Sequence, residues 1–532
     1  MTVLVLAAAA AVAGCEKKPA DSAESGTGLP VRAAAIGEFT ENPLLAFVPA
    51  DTAYAFATFK PFPIEPIRRM SAAMVPLLRR MIELSPAASN RTPEQERISK
   101  DLLDALEHLD AKTIDDAGFS TKGKWAFYGL GGYPVARIEL TSGDRVFDLV
   151  QRAATRWGKT LPPATERAGR RYWIIDDPKI SVMVAIGPKE GVMTIAPRAL
   201  IDANLATLLG EQKPASSMTM AQFRAIAERD GFTGQGVGFL DIARVGALVT
   251  AATGLSPACG TAIAGLAQRM PRLAIGYDDV TTRQMGFGIV LELAPELITE
   301  LRGLAGPLAG LDKVLAAKSI MAMAVAANVE HGRTLLGRVA GVLQAVGQQC
   351  QSSGMVSAMT SVANTAAQPL PPMFAGLRGG YFVLTQLKMG AQGPEQVEGF
   401  GSLQLDHPGD VLKLATSELP SFNVPLDGKA HALPALIPVP GHVAASETAI
   451  GVGLGANSAA VAVDAIHGKA GPAPLMLLRY DYGRFGELMG AAMPPGPQTE
   501  MMFDLLKMFG VATVQMVADA RGLVMWTAIE LR

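Results

Sequence analysis

Short runs in which apolar residues alternate with polar or small ones are separated along the chain by stretches in which they recur every three or four positions, the signatures of strands and of amphipathic helices. The first such run sets bulk against smallness. Tyr54, Phe56 and Thr58 alternate with Ala53, Ala55 and Ala57, which predicts a strand with one thick and one thin face. Near the other end, Met502, Leu505, Leu506 and Phe509 share a helical face, with Thr499 as the expected N-cap and Glu500 and Asp504 near the positive end.

The same succession of elements occurs twice. Arg137-Ile138-Glu139-Leu140 leads into a helix over 144–150, and Ser402-Leu403-Gln404-Leu405 into one from Asp410, the cap-like aspartate that also stands at Asp144. A hairpin over 181–186 and 192–195 matches one over 449–454 and 460–463; a strand running into a helix from Val237 matches one from Leu475; and a closing hairpin over 273–292, turning at Asp278-Asp279, matches one over 514–531. Within a half the order is strand, helix, two strands, helix, meander, helix, strand, helix, hairpin. Strands joined by short turns pair antiparallel, and helices between them must cover a face. The expected fold is therefore α+β, two homologous halves over residues 42–310 and 318–532, each an antiparallel sheet backed by helices. The first half carries a helical insert over 64–109, kinked at Pro76 and broken between Pro86 and Pro93. The second is expected to lack a counterpart of the helix over 199–209.

At the N-terminus the apolar run 3–13 ends in Val12-Ala13-Gly14-Cys15. Eleven apolar residues are too few for a helix to cross a hydrocarbon core of ~30 Å, but they suit a secretory signal. The segment resembles the lipobox of bacterial lipoproteins, which implies a signal peptide over 1–14, cleavage before Cys15 and acylation of its thiol. Met1-Thr2-Val3 has no Lys or Arg, so the start of translation is expected a little upstream. Residues 15–41 are polar and contain Pro, Gly and Ser, the composition of a flexible tether. Glu16 is not the aspartate that holds such proteins in the inner membrane, so the resemblance implies an outer-membrane anchor facing the periplasm. A second resemblance lies at Leu45-Ala46-Phe47-Val48-Pro49-Ala50-Asp51-Thr52-Ala53-Tyr54, which is similar to the opening of uncharacterised bacterial exported proteins with a Pro-Ala-Asp-Thr entry into a first strand. That family implies no activity.

Composition narrows the chemistry. With a net charge of −2 and Lys and Arg scattered, nothing attracts nucleic acid. The 532 residues exceed the ~250–300 at which one core stops growing, so two domains are expected. Residues 245–267, the longest uncharged candidate for a second membrane span, are broken at Leu255-Ser256-Pro257 and read as two helices. With Cys15 acylated, Cys259 and Cys350 remain, either bonded to each other or two buried thiols.

No nucleophile elbow, P-loop, zinc-protease motif or CxxC occurs. The six histidines never pair at a ligand spacing, and no metal or cofactor is expected. The acid pairs Asp176-Asp177 and Asp278-Asp279 are expected in hairpin turns, and Asp406-His407-Pro408-Gly409-Asp410 is read as a turn with Asp410 as helix cap. Glycines recur with strand period at Gly234, Gly236, Gly238 and at Gly451, Gly453, Gly455; they either let helices pack close or open a shallow groove. The 24 methionines suit a core or a forgiving apolar surface. The leading expectation is a non-enzymatic binding or scaffolding lipoprotein. Its partners would be the membrane, through Cys15, and an envelope protein or hydrophobic ligand. A lipid carrier and an unrecognised hydrolase are the alternatives. An apolar cavity of ~300 Å³ or more would favour the carrier, and a filled interior with an exposed apolar patch the scaffold.

Overall fold

A computed structural model of the protein describes residues 39–84, 92–107, 110–158, 160–176, 180–326, 328–371, 374, 376–390, 393–434, 439–492 and 496–531. The signal peptide, Cys15 and the tether as far as residue 38 lie outside the described residues, as do the break expected at 86–91 and Asp177.

In the first half, a 3-10 turn Pro43–Phe47 precedes β1 (Tyr54–Ala57), a helical pair α1 (Ile64–Leu84) and α2 (Pro93–Glu107), then β2 (Trp125–Leu130) and β3 (Tyr133–Glu139). Helix α3 (Gly143–Arg156) leads to the meander β4 (Thr165–Arg167), β5 (Arg170–Asp176), β6 (Ser181–Ile186) and β7 (Glu190–Ala196). Short helices Arg198–Ala203 and Leu205–Leu208 and α4 (Met220–Asp230) follow, then β8 (Val237–Asp241), α5 (Ile242–Thr253), α6 (Pro257–Arg269), β9 (Arg272–Val280) and β10 (Gln284–Glu292). The 245–267 segment is two helices, with Gly254 at φ 64 closing α5 and Ser256 and Pro257 opening α6.

The second half repeats this plan. After β11 (Leu308–Ala309), β12 (Met321–Ala326) precedes the helical pair α7 (Val329–Gln349) and α8 (Ser353–Ala367). Then come β13 (Leu377–Gly390), β14 (Gly393–Leu405), α9 (Pro408–Glu418), β15 (Ala430–Ala432), β16 (Gly441–Ala445), β17 (Ala449–Leu454) and α10 (Ser458–Ile466). The chain closes with β18 (Ala470–Gly471), β19 (Met476–Asp481), α11 (Tyr482–Ala492), α12 (Pro497–Lys507), β20 (Phe509–Asp519) and β21 (Gly522–Leu531).

Outward from its last strand, the first half pairs as β10-β9-β8-β1-β2-β3-β7-β6-β5-β4. The second pairs as β21-β20-β19-β12-β13-β14-β17-β16-β15. The two orders are the same, position for position, with β4 as the extra strand. All of these pairings are antiparallel, and the outermost strands are only three residues long, which leaves little free edge. The halves join because β10 and β21, equivalent by position, pair antiparallel from Gln284↔Glu530 to Glu292↔Gly522. Equivalent strands running opposite ways require an approximate two-fold axis between them, perpendicular to the sheet. The helical pairs cross that axis: α1 packs on α12 of the second half, and α7 packs on α6 of the first. A disulfide between Cys259 in α6 and Cys350 at the end of α7 covers one crossing, with Cα atoms 4.4 Å apart. An Arg80–Glu500 ion pair of 2.5 Å covers the other.

The thin face of the sheet is the core face. Ala55 and Ala57 of β1 are buried in one cluster with Phe223 and Ile226 of α4 and with Ile201 and Leu208 of the short helices. Ala322, Ala324 and Ala326 of β12 are buried with Tyr381, Val383 and Leu477. Small side chains let the backing helices approach, and the same strands turn their bulk the other way.

Several expectations need correction. Residues 460–463 are helical, because Ser458, Ala462, Ala465 and Ile466 bury one face at helical spacing. Helix α10 is thus the missing counterpart of the helices near 199–209, and β17 matches β7 rather than β6. The pair α1–α2 is not peculiar to the first half, since α7–α8 stands in the same place. Helix α12 begins at Pro497, so Thr499 lies inside it. His407 and Ser142 hold the N-cap positions, leaving Asp410 and Asp144 in the first turns. Asp278 and Asp279 belong to β9, and the chain turns after them, where Thr281 N–H donates to Gln284 O.

Candidate functional site

On the thick face of the first half, opposite the alanines, the sheet and α3 enclose a half-open cavity of about 1130 Å³. That is above the ~300–1,000 Å³ of ordinary small-molecule sites. Its floor is aromatic. Phe56 stacks on Trp125 at 5.1 Å, Tyr54 lies 5.8 Å from Phe127, and Tyr277 meets Phe56 and Phe287 edge-on at 6.4 and 5.9 Å. Ala136 and Ile138 of β3 and Met193 of β7 continue the floor, and Val146, Leu149, Val150 and Ala153 of α3 form the wall. Strand alternation places these side chains together: Phe56↔Phe127, Phe127↔Ala136 and Ala136↔Met193 are direct cross-strand partners and so share a face.

Polar groups on its lining are few. Asp101 of α2 pairs with Arg156 through one carboxylate oxygen, and its side chain is only 9% exposed. Its other oxygen, Oδ2, has no hydrogen-bond partner, nor does the buried Nε1 of Trp157 at the C-cap of α3. Burial pushes the phenols of Tyr54 and Tyr277 above their ordinary value, so both present neutral hydroxyls. Arg137 also touches the cavity, but its guanidinium is committed on the core side to Tyr128, Glu190 and the carbonyls of Thr207 and Leu208.

The glycines chosen from the sequence do not form a groove. A Cβ on Gly236 or Gly238 would lie 2.6 or 2.5 Å from the Phe56 ring, so these residues seat the ring that floors the cavity. Gly234 accepts the N–H groups of Phe59 and Lys60 through its carbonyl. Gly451 and Gly453 face the core, where a Cβ would meet the α10 backbone at 2.4 and 2.1 Å, and Gly455 turns at φ 97 against Glu398. The signal that did mark the cavity was the bulk-against-alanine alternation of β1.

In the second half the equivalent face is open. Met323, Phe382 and Leu403, from β12, β13 and β14, are 45%, 36% and 47% exposed.

Among the described residues no three of His, Cys, Asp and Glu converge as metal ligands. His331 contacts Glu300 O at 2.8 Å and His431 contacts Asp427 at 3.0 Å. His442 Nδ1 lies 2.9 Å from Ser458 Oγ, a nucleophile-and-base pairing in outline. Ser458 is only 2% exposed and neither residue lines the cavity, so a substrate has no approach. No described helix is long and apolar enough to cross a membrane.

No protein-family model matches the chain, and no curated protein is similar to it in sequence. Among solved structures, crystal form I of TP0453 is 9% identical over 48% of this chain and 80% of that one, with a TM-score of 0.23. Crystal form III of TP0453 is 11% identical over 48% and 81%, at 0.22, and crystal form IV is 12% identical over 49% and 84%, at 0.23. Similarity at that level says nothing of what the cavity holds.

Proposed function

We propose that the protein carries a lipid or other hydrophobic ligand in the cavity of its first half while a lipid on Cys15 tethers it to the envelope membrane. The supporting observation is the cavity itself, about 1130 Å³ with apolar and aromatic walls. A half-open apolar surface of this extent is left against water, a cost that an apolar occupant removes. This reverses the order expected from sequence, where scaffolding led. Scaffolding keeps one supporting feature, the exposed Met323, Phe382 and Leu403 on the second half, the kind of patch that marks partner surfaces.

Filling the cavity tests the carrier reading. Ala136→Phe places a ring between Phe127 and Met193, and it is expected to weaken binding of a fluorescent apolar probe at least tenfold while the melting temperature holds. Native mass spectrometry of protein from its own host should find a co-purifying lipid on the wild type and none on the variant. Equal probe binding by both would overturn the reading.

The tether is tested separately. Cys15→Ser is expected to abolish incorporation of labelled fatty acid and to release the protein from membranes. A variant that stayed labelled and membrane-bound would refute it.

A further inference from the structure

Helix α3 shows on which side the cavity opens. Val146, Leu149, Val150 and Ala153 recur at helical spacing and form its wall. One flank of that stripe carries Phe147 and Ala154, both buried, with Phe147 stacked on Trp173 of β5 at 5.0 Å. The opposite flank carries Arg152 and Arg156, one turn apart, which line the cavity and are nevertheless exposed. A side chain that both lines a half-open cavity and meets water stands at its mouth. Charge there is one-sided. Arg156 is matched by Asp101 of α2 at 2.5 Å, and Arg137, the other charged residue of the lining, is paired on the core side with Glu190. Arg152 has no ion-pair or hydrogen-bond partner among the described residues. Asp148, one turn before it, is exposed, makes no ion pair with it and does not line the cavity.

We propose that the ligand is an amphiphile with an anionic head, a carboxylate or a phosphate, which meets Arg152 at the mouth while the apolar tail lies along the aromatic floor. The inference rests on the carrier reading above. In this pose the tail leaves water and the head does not, so no charge is buried. A guanidinium presents a planar fork of donors that fits a carboxylate or a phosphate with two hydrogen bonds. A cationic head would meet the uncompensated charge of Arg152, and an uncharged head would gain nothing from it.

The test uses the full chain carrying Cys15→Ser, which needs no detergent, and three ligands with sixteen-carbon tails competing against a fluorescent apolar probe. These are palmitate and hexadecyl phosphate, both anions, and 1-palmitoylglycerol, which is uncharged. At low salt at least one anion is expected to displace the probe at about fivefold lower concentration than 1-palmitoylglycerol. That is about 1 kcal/mol, the upper end of what an exposed ion pair contributes. The gap should close at about 1 M NaCl, where screening reaches within a few ångströms. Arg152→Gln should bring the anions level with 1-palmitoylglycerol, and Arg152→Lys should keep most of the gap. A lead for palmitate alone assigns a carboxylate head and a lead for hexadecyl phosphate alone a phosphate; either supports the proposal. Equal displacement by all three ligands, or a lead for 1-palmitoylglycerol, overturns the head assignment and leaves the carrier reading standing. An anion lead that survives Arg152→Gln overturns the assignment to Arg152. Displacement by none of them overturns both the head assignment and the carrier reading.

Discussion

Replacing Cys259 and Cys350 together by alanine should lower the stability of the protein by about 4–5 kcal/mol, because the bond closes a long loop whose freedom the unfolded chain would regain. The two cysteines are 91 positions apart, and the disulfide holds α6 of one half to the end of α7 of the other. At the opposite crossing the described polar link is Arg80–Glu500, with side chains 33% and 58% exposed, and a pair so solvated is worth about 0–1 kcal/mol. The loss should therefore be uneven. Amide exchange should rise in α7 and α8 on reduction while α1 changes little. Urea unfolding of the double variant gives the magnitude, and an unchanged midpoint would refute it.

Arg137→Met should cost about 3–5 kcal/mol, the loss expected when one member of a buried, hydrogen-bonded charge network is removed. Arg137 is 1% exposed. It donates to Tyr128 Oη at 3.0 Å and to the carbonyls of Thr207 and Leu208 at 2.8 and 3.1 Å, and pairs with Glu190. Arg170 also reaches Glu190, at 2.8 Å, so the carboxylate keeps a partner. Of the carbonyls at the end of the short helix Leu205–Leu208, that of Thr207 still accepts the N–H of Gly210 at 3.0 Å, while that of Leu208 loses its guanidinium donor. Denaturant unfolding measures the effect, and a change below about 1 kcal/mol would mean that water takes the place of the guanidinium.

The repeat was legible because it is written in the order of element types, which survives when individual residues differ. Strand followed by helix at Val237 and Leu475, and the closing hairpins, are set by local periodicity, and the structure places them in equivalent positions. Where the reading slipped, two periodicities coincided. The Ala and Val residues of 459–463 fit a strand as well as a helix, and the choice is made by Gly451 and Gly453, which lie elsewhere in the chain and admit the helix against β17. At α9 and α12 the expected caps slipped by three positions because proline at the first helical turn starts these helices earlier than the acidic or hydroxyl residues suggest. The cavity was legible only as a residue pattern, thick side chains opposite alanines. Whether helices fill the space above that thick face depends on where α2 and α3 come to rest, and no short-range pattern encodes that.

The seam between β10 and β21 has a consequence for how this molecule could have arisen. A strand that pairs with its own equivalent is the self-complementary edge from which a symmetric homodimer is built, so an ancestral single unit could have made this 19-stranded sheet from two separate copies. Fusion into one chain supplies each unit with its mate at an effective concentration set by the linker rather than by expression level. It also removes a constraint. In a homodimer every substitution appears twice, so both cavities close or both open. In a fused chain one copy can enclose its aromatic face under α3 while the other leaves Met323, Phe382 and Leu403 bare, an asymmetry between the two faces that no symmetric dimer can reach.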